Sequence, residues 1–173
     1  MHIEILISAK EIQKKVKEIG KKITEEYKGK KLVIVGVLKG AIIFFADLIR
    51  YIELPIEVDF INVKSYFGGI KSTGKVVLYR DIQIDIQNKN VIIVDDIYDT
   101  GYTLDFIKTL LEKRNPLSVK ICTLLYKERK HEKEIDIDYT LFKIPDKFVV
   151  GYGLDYNELY RNLPYVGILK SEE

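Results

Sequence analysis

The sequence predicts an α/β fold: a mostly parallel sheet flanked by helices, with a small cap built from the chain ends. Three observations carry that expectation. Leu32–Val37, Val91–Val94 and Val119–Leu125 are largely apolar runs, the pattern of strands buried on both faces. Segments of helical periodicity alternate with them, as in a parallel sheet covered on both sides. The turns after Val37, after Val94 and after Leu125 then share the carboxyl edge of the sheet, where such folds place their ligands.

Taken in order, the first helix starts after Ser8, with Ile12, Val16, Ile19, Ile23 and Tyr27 at spacings of three and four. Ser8 and Glu11 form a capping-box pattern, and Gly29 ends the periodicity. The strand Leu32–Val37 leads through Lys39-Gly40 into a second helix from Ala41 to about Tyr51. Pro55 breaks the chain before a strand at Ile56–Val63. Ser65 to Lys75 contains three glycines and reads as a long flexible loop, with a short strand after it at Val76–Tyr79. After the strand Val91–Val94, a helix is expected from Thr103 to about Arg114, stopped by Asn115-Pro116. Val119–Leu125 closes the core. Core residues fall at about 30–140, and the Tyr-, Gly- and Asp-rich tail from Phe142 to Lys170 joins the N-terminal strand in the cap, all in a single domain 1–173.

The chain has 173 residues, enough to bury a core without disulfides or structural metal. Lys and Arg number 28 against 26 Asp and Glu, so the net charge of +2 offers no global basic field for nucleic acid. Attraction to phosphate must then be local. The single cysteine, Cys122, lies in an apolar run and reads as a core residue suited to a reducing compartment. No run approaches the roughly 18 apolar residues of a membrane span, and the N-terminus lacks a signal-peptide pattern. The expectation is a soluble, cytoplasmic protein with no nucleic-acid or membrane partner.

The most informative segment is Val91-Ile92-Ile93-Val94-Asp95-Asp96-Ile97-Tyr98-Asp99-Thr100-Gly101-Tyr102-Thr103-Leu104. A buried strand ends in two carboxylates, and a glycine turn opens a helix. The turn's N–H groups and the helix N-terminus favour a phosphate, while paired carboxylates can accept from a vicinal diol. On residues alone, two solvated acids and a helix cap remain an alternative.

This segment resembles the phosphoribosyl-diphosphate (PRPP) signature of the type I phosphoribosyltransferases. With Gly36–Ala41 and the following Phe45-Ala46-Asp47-Leu48, with Lys64-Ser65-Tyr66, and with Pro145–Glu158, it is similar to the hypoxanthine-guanine branch of that family. The similarity runs from about Leu32 to about Val166.

The resemblance implies transfer of the phosphoribosyl group from PRPP to a 6-oxopurine with loss of pyrophosphate, assisted by Mg²⁺. It implies that Asp95 and Asp96 hold the ribose hydroxyls, that the turn Asp99, Thr100, Gly101, Tyr102, Thr103 holds the 5′-phosphate, and that Asp99 is the acid/base group at purine N7. Lys39, Gly40, Ser65, Tyr66 and Arg161 would serve the pyrophosphate, with Ser65-Tyr66 opening a lid and a cis peptide preceding Lys39. Lys127, Lys147, Phe148, Val149 and Asp155 would hold the purine, and Asp155, Asp95 and Asp96 would sit by the metal. A homodimer or homotetramer is implied as well. One departure stands out: the family commonly has Glu-Asp where this chain has Asp95-Asp96. Other readings from the same residues are a phosphoribosyltransferase for xanthine or a pyrimidine, a PRPP-sensing regulator, or a generic nucleotide-binding domain. The last lacks a Walker A or dinucleotide glycine fingerprint.

Overall fold

The computed structural model describes residues 2–66 and 75–170. Residues 67–74, the middle of the expected lid, lie outside them. The elements are β1 (His2–Ile7), α1 (Ala9–Glu26), β2 (Leu32–Leu38), α2 (Ile42–Ile49), β3 (Glu57–Tyr66), β4 (Lys75–Arg80), β5 (Asn90–Tyr98), α3 (Tyr102–Glu112), β6 (Ser118–Glu128), β7 (Tyr139–Pro145), β8 (Val149–Val150) and β9 (Val166–Lys170).

The large sheet has the order β4-β3-β2-β5-β6-β7. Its strands are parallel except β4, which returns antiparallel to β3 at one edge. The doubly apolar runs become β2, β5 and β6 at its centre because both faces there are covered. On one face α1 and α2 meet Ile34, Ile92, Val94 and Leu124. On the other, α3 meets Val33, Val35, Ile93 and Ile121 through Leu104, Ile107 and Leu111.

In α1 the capping box is complete. Ser8 Oγ accepts from the Glu11 N–H at 3.2 Å, and the Glu11 carboxylate accepts from the Ser8 N–H at 2.8 Å. Such a cap contributes ~1 kcal/mol, against ~1.5–3 kcal/mol for each of the fully buried Ile12, Val16 and Ile23, so packing holds this helix more than its cap does.

Four strands run further than the apolar patterning indicates. β3 extends through Ser65 and Tyr66, and β4 begins at Lys75, so the expected loop is shorter at both ends. β5 continues through Asp95 and Asp96 to Tyr98, and β6 through Lys127 to Glu128. Polar strand ends escape an apolar-run criterion, although the ladder still pairs Asp95 with Thr123 and Lys127 with Ile144. β7 is the sixth strand of the large sheet, so Phe142 to Pro145 belong to the sheet and not to the tail.

The chain ends form a second, antiparallel sheet of order β1-β9-β8. It leans on the first core through Val149, Tyr152, Leu154 and Val166. That docking brings the Pro145–Arg161 segment to the carboxyl edge of the large sheet.

Candidate active site

Successive strand residues point to opposite faces, so Asp95 and Asp96 diverge from adjacent backbone positions. Asp95 is 6% exposed, and its Oδ1 accepts from the Asp96 N–H at 2.8 Å. Burial drives both carboxyls above the usual range, and the neighbouring Asp96 charge pushes Asp95 further. Gly40 packs directly on Asp96: a Cβ there would lie 2.0 Å from Asp96 Oδ2. A side chain at position 40 would therefore displace the carboxylate.

Beyond Tyr98 the chain turns through Asp99, Thr100 and Gly101, whose φ of +92° is the left-handed conformation glycine tolerates. A cavity of about 440 Å³ opens over Gly40, Ser65, Tyr66, Asp95, Asp96, Asp99, Thr100, Gly101 and Thr103. Ser65 Oγ and Thr103 Oγ1 are 2.8 Å apart, tying the end of β3 to the start of α3. Tyr102 faces a different groove of about 270 Å³, shared with Val76 and Phe106.

A second cavity, of about 200 Å³, adjoins the first at Asp96, Ile97 and Asp99. Lys127, Phe148, Val149, Leu154 and Asp155 complete its wall. Phe148 is 53% exposed and meets Tyr156 edge-on, with ring centroids 5.8 Å apart. Lys147 sits exposed in the turn between β7 and β8 and lines neither cavity. Asp99 does not cap α3; Gly101 occupies the N-cap position. Its carboxylate instead accepts from Lys127 Nζ and from Arg129 Nη1, each at 3.1 Å. Lys127 also lies 3.7 Å from Asp146.

The expected pyrophosphate cations are likewise engaged. Lys39, after a cis Leu38–Lys39 peptide, donates to Glu158 at 2.8 Å. Arg161 donates to the Gly153 carbonyl at 2.7 Å and lies 3.3 Å from both Asp155 and Glu158. These contacts need a tight cap loop. Gly153, at φ +103°, presses against the Gly40 carbonyl, which a Cβ would approach to 2.1 Å. Tyr152, Asn157, Glu158 and Tyr160 also take positive φ, an uncommon conformation for residues with side chains.

Arg129, His131, Asp146 and Glu158 are the contacts that reading the sequence missed. Arg129 carried one usable signal: it lies two residues past Lys127, the spacing that shares a face in extended chain.

Among the described residues, no three of His, Cys, Asp and Glu converge as a ready metal cage. Asp96 and Asp155 wall the smaller cavity, and Asp95 and Asp96 the larger. Hard carboxylate oxygens in this sparse arrangement fit Mg²⁺, which keeps most of its shell as water and substrate phosphate and leans on one or two carboxylates.

An α/β sheet whose central strand ends in an acidic pair and a glycine turn, beside a second pocket, is the architecture of a phosphoribosyl-transfer domain. A sequence model of the phosphoribosyl transferase domain matches residues 2–157, and the chain belongs to that family. Within it, the chain is 51% identical over 168 residues to a hypoxanthine-guanine phosphoribosyltransferase of Staphylococcus epidermidis, covering 97% of this chain and 94% of that one. It is similar in structure to a hypoxanthine phosphoribosyltransferase from Staphylococcus aureus (TM-score 0.92, 49% identity, 96% and 91% of the two chains). A hypoxanthine-guanine phosphoribosyltransferase from Bacillus anthracis with HEPES in its active site superposes equally well (TM-score 0.92, 43% identity, 98% and 100%).

Proposed function

We propose that this protein salvages purines, transferring the 5-phosphoribosyl group of PRPP to hypoxanthine or guanine to give IMP or GMP and pyrophosphate. The observation that carries this reading is the junction of the two cavities at Asp96 and Asp99. A sugar phosphate in the larger one and a flat base in the smaller one would meet there.

Asp95 and Asp96 take the ribose hydroxyls, and the Asp99–Thr103 turn takes the 5′-phosphate. Because Asp95 is short and buried, its ribose contact runs through water. Lys127 donates to purine O6, Phe148 stacks on the ring and Val149 meets it through backbone. Asp99, beside the same cavity, exchanges the N7 proton. Lys39, Gly40 and Arg161 receive the pyrophosphate, and Ser65-Tyr66 begin a lid that excludes water from the ion-like transition state. Asp95, Asp96 and Asp155 would hold Mg²⁺, which would supply neutralising charge for the leaving diphosphate. We place the enzyme in the cytoplasm as a homodimer or homotetramer; no helix among the described residues is long and apolar enough to cross a membrane.

A steady-state assay with PRPP, Mg²⁺ and each of hypoxanthine, guanine, xanthine and adenine tests the reading. Adenine presents an amino group where Lys127 needs an acceptor, so two donors would face each other across the pocket. Turnover of adenine matching hypoxanthine would overturn the 6-oxopurine assignment.

A further inference from the structure

We infer that the irregular segment Arg129–Lys133 is a strap that aims the amides of the Asp99–Gly101 turn into the phosphate cavity, with His131 as its positioning residue. The inference rests on the PRPP reading of that cavity.

The argument begins with peptide geometry. In a trans peptide the carbonyl of one residue and the N–H of the next point in opposite directions. The Asp99 carbonyl is engaged by His131 Nδ1. A carbonyl oxygen can only accept, so Nδ1 carries the proton and donates. The Thr100 carbonyl accepts from the Lys133 N–H at 2.9 Å. Both peptides that follow are trans. With both carbonyls turned to the strap, the N–H groups of Thr100 and Gly101 are turned away from it. The cavity beside the turn is lined by Thr100, Gly101 and Thr103 and by no residue of the strap. Successive amides aimed into one hollow beside a left-handed residue make an anion nest.

The strap is held rigidly enough to set that aim. His131 is 4% exposed, stacked on Tyr98 at 3.9 Å and 19° and edge-on to Tyr126 at 5.2 Å and 80°. The Tyr98 hydroxyl donates to the Lys133 carbonyl at 3.0 Å and accepts from the Ile135 N–H at 3.3 Å. Contact with the turn is direct, since a Cβ on Gly101 would lie 2.1 Å from the Lys133 carbonyl oxygen. His131 Nε2 is buried without a protein partner among the described residues. A buried unpaired nitrogen is a poor way to fill an apolar gap, which phenylalanine would fill at no polar cost. The bond to the Asp99 carbonyl is what the imidazole contributes. At the other end, Arg129 grips the Asp99 carboxylate, so one strap touches both the phosphate turn and the acid/base group.

The test compares the intact wild-type protein with His131→Phe, His131→Asn and Tyr98→Phe, measuring binding of IMP and of inosine, KM for PRPP, kcat and thermal unfolding. His131→Phe keeps the aromatic stack and loses the donor. We expect IMP binding and KM for PRPP to weaken about tenfold, the effect of losing one hydrogen bond to a buried carbonyl, with inosine binding and kcat within about twofold. In His131→Asn the Nδ2 atom overlays Nδ1 and should restore both to within about threefold of wild type. If His131→Phe fails to fold, Tyr98→Phe decides: it frees the strap's far end and should weaken IMP about threefold while sparing inosine. Folded variants that bind IMP like wild type, or that lose IMP and inosine equally, would overturn the strap's role. A wild-type protein that neither binds IMP nor uses PRPP would instead sink the reading of the cavity, and the inference with it.

Discussion

The two halves of the site differ in how they handle charge. In the sugar-phosphate half, a buried Asp95 neighbours a half-buried Asp96, and among the described residues neither enters an ion pair. In the purine and pyrophosphate half four cations each meet a carboxylate: Lys127 and Arg129 hold Asp99, Lys39 holds Glu158, and Arg161 holds Asp155 and Glu158. The first half stores an electrostatic cost that a diol and a metal can relieve. The second is neutralised in advance, and its ligand must replace contacts that already exist. Ligand binding therefore begins from opposite starting points a few residues apart.

The largest effect expected is at Asp99, where the halves meet. Asp99→Asn should retain PRPP binding and lower kcat by roughly two to four orders of magnitude, the usual loss for a general acid–base group. Thermal stability should barely move, because Asp99 does not cap α3 and its cations keep Asp146 and Glu132 as partners. A wild-type kcat in this variant would separate Asp99 from the chemistry and reduce its pairs with Lys127 and Arg129 to surface electrostatics.

The same contrast governs what could be read from the sequence. The sugar-phosphate half is contiguous, so Asp95 to Thr103 declared itself as strand, acidic pair and glycine turn. The parallel sheet was equally legible, because β2, β5 and β6 are apolar on both faces. The other half joins Lys127 on β6, Phe148 between β7 and β8, and Arg161 in the cap loop, residues with nothing local to distinguish them from solvated charges or core. Resemblance supplied those positions. It supplied no role for Glu158 or His131, whose bonds to Lys39 and to the Asp99 carbonyl span 119 and 32 residues and are set by tertiary docking. Strand ends were missed for a related reason: Asp95 and Lys127 extend ladders through backbone pairing, which side-chain hydropathy does not encode.

A smaller effect tests the stored cost in the acidic half. Asp95 has a raised pKa in the folded protein because of burial and the Asp96 charge. Below about pH 4, where unfolded aspartates are also protonated, the group costs the fold nothing. As pH rises through the unfolded value towards the folded one, the unfolded chain releases its proton first and stability is lost. Asp95→Asn keeps an oxygen for the Asp96 N–H and removes the charge. Its melting temperature should exceed wild type by a few degrees at pH 7, at about 2–4 °C per kcal/mol for a chain of this size. The gain should vanish near pH 4, and KM for PRPP should rise. An equal or lower melting temperature at pH 7 would show that the acidic pair stores no such cost.

The smallest effect expected is at Glu158, and it tests the neutralised half. The Glu158 carboxylate sits between Lys39 and Arg161, and both cations hold its pKa below the usual value, Lys39 more strongly. A diphosphate arriving at Lys39 and Arg161 competes with that carboxylate for the same N–H donors. Glu158→Gln keeps the length and the hydrogen-bonding oxygen while removing the charge that competes. Arg161 retains Asp155 and the Gly153 carbonyl, so its placement should hold. The Glu158 carboxylate and its Lys39 partner are exposed and screened, which limits the gain: KM for PRPP should fall only about two- to fivefold, and the difference should shrink as salt is raised. Because Lys39 and Arg161 would also hold the pyrophosphate product more tightly, kcat should fall or stay level while KM drops. A KM that instead rises would mean that Glu158 orders the two cations for pyrophosphate, and that pre-pairing in this half aids the ligand more than it competes with it.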